Sequence, residues 1–320
     1  LQSLDSTIQD YYGMGKGQIE SLNGRKLHDL GFMGQGMTIA VLDAGFMNVD
    51  KIAAFRNLNI KGTHNFVAGY DNDVYKEMDH GTKTLSTIAM NQPTVFVGTA
   101  PKADFWLLRT EDYSTESPAE EDFWIAAVEF SDSVGVDIIS SSLGYHGFDD
   151  ISMNYRYSDL NGRTAAISQA ASRLASKGMI LVNSAGNDGM GTWKKINVPA
   201  DAYDILTVGA VSLDKVNAPF SSIGPTADGR IKPDVMAYGC PTNVVSGRGY
   251  IIPDNGTSFA CPLIAGMVAC LWQACPNKSA KEIIDIIRQS GNNCQSPDNI
   301  MGYGIPDFWS AYQSATRYNQ

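Results

Sequence analysis

The chain has 320 residues, 43% of them hydrophobic and 18% charged, with a formal net charge of −10. That is enough apolar material for a large core and argues against disorder, while the acidic balance argues against nucleic acid, whose phosphates demand a basic face. No uninterrupted apolar run reaches the roughly 18 residues of a membrane-spanning helix, so no span is expected.

In chain order, Leu1–Gly17 is polar and glycine-containing and reads as an arm lying over the body. No signal peptide is visible at Leu1, and the missing initiator methionine reads as a mature or excised form. Gln18–Gly31 reads as one or two short helices. Met37–Leu42 is a short apolar strand ending at Asp43-Ala44-Gly45, and Lys83–Met90 is a helix opening just after His80. Strand Asp104–Leu108, helix Ala119–Ser133, strand Asp137–Ser142, helix Thr164–Lys177 and strands Met179–Asn183 and Ile205–Val211 follow. The chain closes with helices Ser258–Ala274, Ala280–Gln289 and Pro306–Ala315. Ser258–Ala274 carries Pro262 and Gly266 but is too apolar for a surface helix. Short apolar strands alternating with helices predict an α/β fold: a doubly wound, mainly parallel sheet with helices on both faces. No segment is long or polar enough to serve as a linker, so residues 1–320 are expected to form a single domain. Cys240, Cys261, Cys270, Cys275 and Cys294 show no metal-ligand spacing. Cys275 and Cys294 flank a predicted helix and could pair; otherwise the cysteines act as small buried hydrophobes.

The chemistry concentrates where the strands end. Asn255-Gly256-Thr257-Ser258 places a serine at the mouth of the apolar helix, where unpaired N–H groups and the helix dipole favour an oxyanion. A serine there is ordinarily an N-cap. An acid at a strand end and a histidine at a helix start change that reading. Asp43, His80 and Ser258 follow one of the chain orders known for unrelated serine hydrolases. Among the other histidines, His64 reads as lying on a loop entering a strand, His28 on an N-terminal helix, and His146 just beyond Gly144-Tyr145. No Gly-x-Gly-x-x-Gly or phosphate-binding loop follows the first strand, which disfavours a nucleotide-binding protein.

Asp43-Ala44-Gly45, His80-Gly81-Thr82 and Gly256-Thr257-Ser258-Phe259-Ala260-Cys261-Pro262 resemble the three active-site motifs of the subtilisin-like serine proteases. Ser184-Ala185-Gly186-Asn187 resembles that family's oxyanion-hole segment, and Ser141-Ser142-Leu143-Gly144 its substrate-binding strand; the match runs from about Gly24 to about Ser290. The resemblance implies an endopeptidase forming an acyl-enzyme on Ser258, with His80 as base, Asp43 orienting it and Asn187 as oxyanion donor. It implies a protein or peptide substrate lying extended along Ser142, Leu143 and Gly144, with Ser184, Ala185 and Gly186 as the facing wall. It also implies no cofactor for the chemistry, structural calcium around Gln2 and the Met90–Val97 loop, an inhibitory propeptide, and secretion or residence in the cell envelope. The alternative is a catalytically silent protein that uses the same fold for binding or as a scaffold.

Some residues depart from the family pattern. Ala44 stands where a hydroxyl is frequent, Leu263 replaces a frequent histidine, and Phe259 stands where methionine is common and is expected to reshape the pocket. Tyr145–Asn161 looks like an insertion, either a substrate-side wall or a surface loop. Asp188 is expected at the pocket rim, where it could tolerate a cationic side chain or simply be solvated. Glu111, Asp112, Glu116, Glu120, Glu121 and Asp122 precede and open a helix, where carboxylates suit the dipole. The functional alternatives for them are a wall selecting basic residues or a calcium site.

Overall fold

The computed structural model describes residues 10–317. Helices α1 (Lys16–Glu20) and α2 (Arg25–Asp29) lead into strand β1 (Thr38–Asp43), followed by β2 (Asn59–Asn65) and α3 (His80–Ala89). A short hairpin, β3 (Asn91–Gln92) and β4 (Phe96–Val97), precedes β5 (Asp104–Arg109), α4 (Ala119–Ser133), β6 (Ile138–Ser141), α5 (Ala166–Ala171), β7 (Ile180–Ser184) and β8 (Leu206–Ser212). The chain then runs through β9 (Val235–Cys240), β10 (Thr242–Val245), β11 (Ile251–Asp254), α6 (Thr257–Ala274), α7 (Ala280–Gln289) and α8 (Phe308–Arg317).

Seven strands form one parallel sheet in the order β2-β5-β1-β6-β7-β8-β9. Side chains alternate across it with the period of a strand. Ile39 and Val41 of β1 pack with Leu85, Ile88, Leu263, Ile264 and Met267 from α3 and α6. Ala40 and Leu42 face the opposite way, into a second core with Trp124, Val128, Ile167 and Ala171 from α4 and α5. Burial on both faces explains why β1 reads as a continuous apolar run. After β5 the chain crosses β1 to begin β6 on its other side, so the order reverses at β1. The crevice at that reversal, beyond the strands' carboxyl ends, is where such sheets bind ligands.

The predicted fold class is the observed one, and the differences lie in elements with weak local signals. β2, β9 and the β10–β11 hairpin were not predicted. β2 is a mostly polar edge strand with a register shift between Ile60 and Gly62. His64 lies on it, not on a preceding loop, with its ring 4.4 Å from that of Phe66. The helix expected over Thr164–Lys177 is α5 followed by a separate 3₁₀ turn at Ala175–Lys177. Ser172 interrupts it, its hydroxyl donating to the Ser168 carbonyl at 2.8 Å and accepting from Tyr203 N at 2.9 Å. α3 starts on His80 itself. No disulfide forms: Cys275 and Cys294 are both free thiols, Cys275 buried and Cys294 half-buried. Helix α6 is long and apolar enough to cross a membrane by length and composition, but 83% of it is buried inside the fold. It is the central core helix.

Candidate active site

Asp43, the last residue of β1, is fully buried, and its carboxylate is held from three sides. Oδ1 accepts from the Ala44 backbone N–H at 2.8 Å and pairs with Nδ1 of His80 at 2.7 Å. Oδ2 accepts from the Thr84 hydroxyl at 3.1 Å. Thr84 lies four residues after His80 on the same face of α3, a contact that the spacing of the pair could have suggested.

His80 reaches Asp43 because the turn after β1 and the start of α3 touch. Gly81 N donates to Gly45 O at 2.9 Å, and a Cβ on Gly81 would stand 2.3 Å from that oxygen. Burial would depress the pKa of His80, but the charge of Asp43 and the hydrogen bond to it prevail and raise it above the ordinary 6.5. Since Nδ1 faces the carboxylate, Nε2 is left for the solvent side. The ring of Phe259 lies 5.7 Å from the imidazole centroid, so Phe259 flanks the His80 ring.

Ser258 sits in the first turn of α6, buried to 8% exposure. Among the described residues its hydroxyl makes no hydrogen bond, and its carbonyl accepts from the Ser142 hydroxyl at 2.7 Å. Pro262 lies four residues further on and has no N–H to give that carbonyl. Ser142 supplies the missing donor and ties the serine turn to the end of β6.

Asn187 follows the end of β7. Its Oδ1 accepts from both the N–H and the hydroxyl of Thr257, each at 2.9 Å. A backbone N–H can only donate, so the amide orientation is fixed and Nδ2 is left without a protein partner among the described residues. Thr257 is a second residue that motif reading passed over.

The two segments expected to flank a substrate lie at and just past the ends of β6 and β7. Ser142 and Ser184 are buried, and Asn183 Nδ2 fixes the carbonyls of Leu143 and Ser184 at 3.0 and 2.9 Å. Gly144 keeps both its N–H and its C=O unpaired among the described residues, as an added substrate strand requires. Ala185 pairs with β8 through Val208, and Gly186 N donates to the Thr257 hydroxyl at 3.3 Å. Lys83 of α3 bonds Asp254 at 3.0 Å, joining the helix that bears His80 to the strand that leads into the Ser258 turn. Asp79 reinforces the join by accepting from Gly247 N at 3.0 Å.

Within the acidic cluster Glu120 and Glu121 are buried, while Glu116 and Asp122 are exposed. Glu120 accepts from the N–H groups of Asp112 and Ser117, in keeping with the dipole reading. Glu111 accepts from the Tyr145 hydroxyl, and Glu121 accepts from that of Tyr155 at 2.8 Å. Tyr145 and Tyr155 anchor the Tyr145–Asn161 segment to Glu111 and to Glu121 of α4, while most of the stretch from Asp149 to Ser158 is exposed. Asp188 is not free in solvent; it meets His146 and Asn197.

The loop expected to hold calcium, Met90–Val97, carries no carboxylate of its own. Met90–Val97 closes into the β3–β4 hairpin, where the carbonyls of Met90, Gln92 and Val95 already accept from Gly98, Val95 and Met14. No group of three or more His, Cys, Asp or Glu among the described residues could hold a metal. Gln2 lies outside the described residues.

Residues 34–304 match the family model described as the subtilase family. The chain belongs to that family. Subtilisin NAT of Bacillus subtilis subsp. natto is 29% identical over 269 residues, covering 83% of this chain and 63% of that one. This subtilase thus spans less than two thirds of the length of the first curated relatives it matches. The thermostable alkaline protease of Halalkalibacterium halodurans is 27% identical over 292 residues, 90% of this chain and 70% of that one. Among solved structures, a protease of Pseudoalteromonas arctica superposes with a TM-score of 0.74 at 20% identity, covering 96% and 99% of the two chains. MycP1 from Mycobacterium smegmatis gives 0.71 at 22% identity, covering 97% of this chain and 86% of that one. At such identities these two report the fold alone.

Proposed function

We propose that this subtilase is a serine endopeptidase that cleaves proteins or peptides through an acyl-enzyme on Ser258. The observation that carries this is the 2.7 Å contact between His80 Nδ1 and buried Asp43, with the imidazole 5.7 Å from the ring of Phe259, the residue that follows Ser258. In this mechanism the Ser258 hydroxyl gives its proton to Nε2 as its oxygen adds to the substrate carbonyl carbon. The oxyanion receives the Asn187 amide and the Ser258 N–H. Collapse of the intermediate breaks the C–N bond, and His80 returns the proton to the leaving amine. Water then enters by the same route in reverse roles and frees the acid. Asp43 stays ionised throughout, holding the productive tautomer and stabilising the imidazolium.

The substrate would lie extended against Gly144, registered by the backbone and sorted by side-chain pockets. We further propose that residues 1–320 work as one peptidase unit, acting outside the cell or at its envelope. Regulation by a propeptide fits the fold neighbour MycP1, whose structure with its N-terminal propeptide removed is known.

The test is a fluorophosphonate, with the adduct located by peptide mass spectrometry, alongside casein hydrolysis by the wild type and by Ser258→Ala. A single adduct on Ser258, with hydrolysis lost in the variant, is expected. A folded wild type that neither labels nor cleaves would favour a silent scaffold and end the proposal.

A further inference from the structure

The proposed chemistry uses the carboxyl ends of the strands, and a second polar site lies at the opposite end of the sheet. Just before β8 and β9 begin, a cavity of about 390 Å³ is lined by Tyr203, Arg230, Lys232, Asp234, Arg288 and Tyr303. That volume falls within the range of small-molecule pockets. None of Asp43, His80, Asn187 and Ser258 lines it.

The buried charges there do not balance. Asp234 takes two cations at once, Lys232 Nζ at 2.7 Å on Oδ2 and Arg288 Nη2 at 2.8 Å on Oδ1. Lys232 is as deeply buried as Asp234, at 2% exposure. Arg230 lies over the Tyr203 ring, 3.7 Å from its centre, and is matched by Asp228 at 3.0 Å. The other carboxylate on the wall, Asp204, is engaged by Lys281 at 2.9 Å. Asp285 meets Arg288 at 3.2 Å from the surface, where it is 69% exposed and screened by water. One buried cation therefore lacks a buried counter-charge, which is a costly arrangement. Burial, and after it the charges of Arg288 and Arg230, outweigh Asp234 and pull the Lys232 ammonium down to about 8.

Donor capacity is left over as well. Lys232 spends two of its three protons, on Asp234 and on the Thr207 hydroxyl at 3.1 Å. Arg230 spends its Nε–H on Asp228 and one proton of each Nη on the carbonyls of Ala202 and Asp201, which leaves two. The Tyr303 hydroxyl makes no hydrogen bond among the described residues.

We propose that this cavity binds a phosphate group, as inorganic phosphate or as a small phosphate monoester, with Arg230, Lys232, Arg288 and Tyr303 donating to its oxygens. The ion supplies the missing negative charge and ties the stretch that enters β9 to α7, which carries Arg288. The site stands apart from the peptidase reading and does not rest on it.

The experiment titrates the whole chain with sodium phosphate, and separately with glycerol phosphate, replacing sodium chloride at constant ionic strength and pH 7. The thermal midpoint should rise saturably, by about 2–4 °C. Tyr303→Phe removes a hydroxyl that no protein group uses, and it should raise the half-saturating concentration about 10-fold. Arg230→Gln should raise it by about 10–100-fold, the scale of a charge-assisted hydrogen bond. Tyr303→Phe decides alone if Arg230→Gln does not fold. Tighter binding of one probe than of the other upholds the site and tells the free ion from the ester. No rise would overturn the proposal. So would a rise linear in concentration, which is the general exclusion of such ions from protein surfaces. Half-saturation within about twofold of wild type in the folded variants would overturn it too.

Discussion

The hydroxyl of Ser142 donates to the backbone carbonyl of Ser258 across 2.7 Å, at the carbonyl that Pro262 cannot serve. The proposed nucleophile and the proposed substrate strand are therefore one hydrogen-bonded unit. Removing the hydroxyl strands a buried carbonyl, at a cost of about 1–3 kcal/mol. Ser142→Ala should lower the thermal midpoint and slow fluorophosphonate labelling of Ser258. An unchanged midpoint and labelling rate would show that the turn holds its place without this donor.

The raised pKa of His80 sets the acid limb of activity. The base must be neutral to accept the serine proton, so activity should fall as pH drops through a value above 6.5. Stability runs the other way. The folded state binds the proton more tightly, so this contribution is full below the unfolded pKa and is lost as pH rises through the folded one. Labelling rate and denaturant midpoint, followed from pH 5 to 9, should therefore show opposite trends at this residue. Thr84→Val removes one donor to Asp43, which leaves more of the carboxylate's charge for the imidazolium, and should move the acid limb upward.

Asn187→Leu removes the freely presented amide while keeping approximate bulk. A loss of about 10²–10³ in kcat with little change in KM is expected, the magnitude known for such a donor in subtilisin, a relative. A rise in KM alone, measured with the same peptide, would make Asn187 a ground-state contact instead.

Glu121 provides a stability test away from the chemistry. Burial pushes its carboxyl up to about 7, and its side chain is shielded under Tyr155. Between about 4.5 and 7 the folded protein then holds a proton that the unfolded chain has released, so stability falls as pH rises through that window. The penalty at pH 8 is on the order of 3 kcal/mol. Glu121→Gln can still accept from Tyr155 and should be more stable than wild type at pH 8, with little difference at pH 4, by urea midpoint.

The legible parts of this chain were those in which chemistry and backbone geometry coincide. Asp43, His80, Asn187 and Ser258 each stand at an element end, where sequence punctuation is strong. β1 and β6–β8 announced themselves through apolar runs buried on both faces. β2 escaped notice because an edge strand keeps polar residues and needs no second apolar face. Thr84 and Thr257 were silent because a hydroxyl on a helix has many bland uses, and only three-dimensional proximity gives it a carboxylate or an amide to hold. The helix-dipole account of the acidic cluster did not include Tyr145 and Tyr155, which arrive from 34 residues away along the chain.

The link from Lys83 to Asp254 locks the imidazole-bearing helix to the strand entering the serine turn. Neither partner of that ion pair lies in the Tyr145–Asn161 segment. Under the proposed mechanism, exchanges in that segment can alter preference without touching the tie between the two elements.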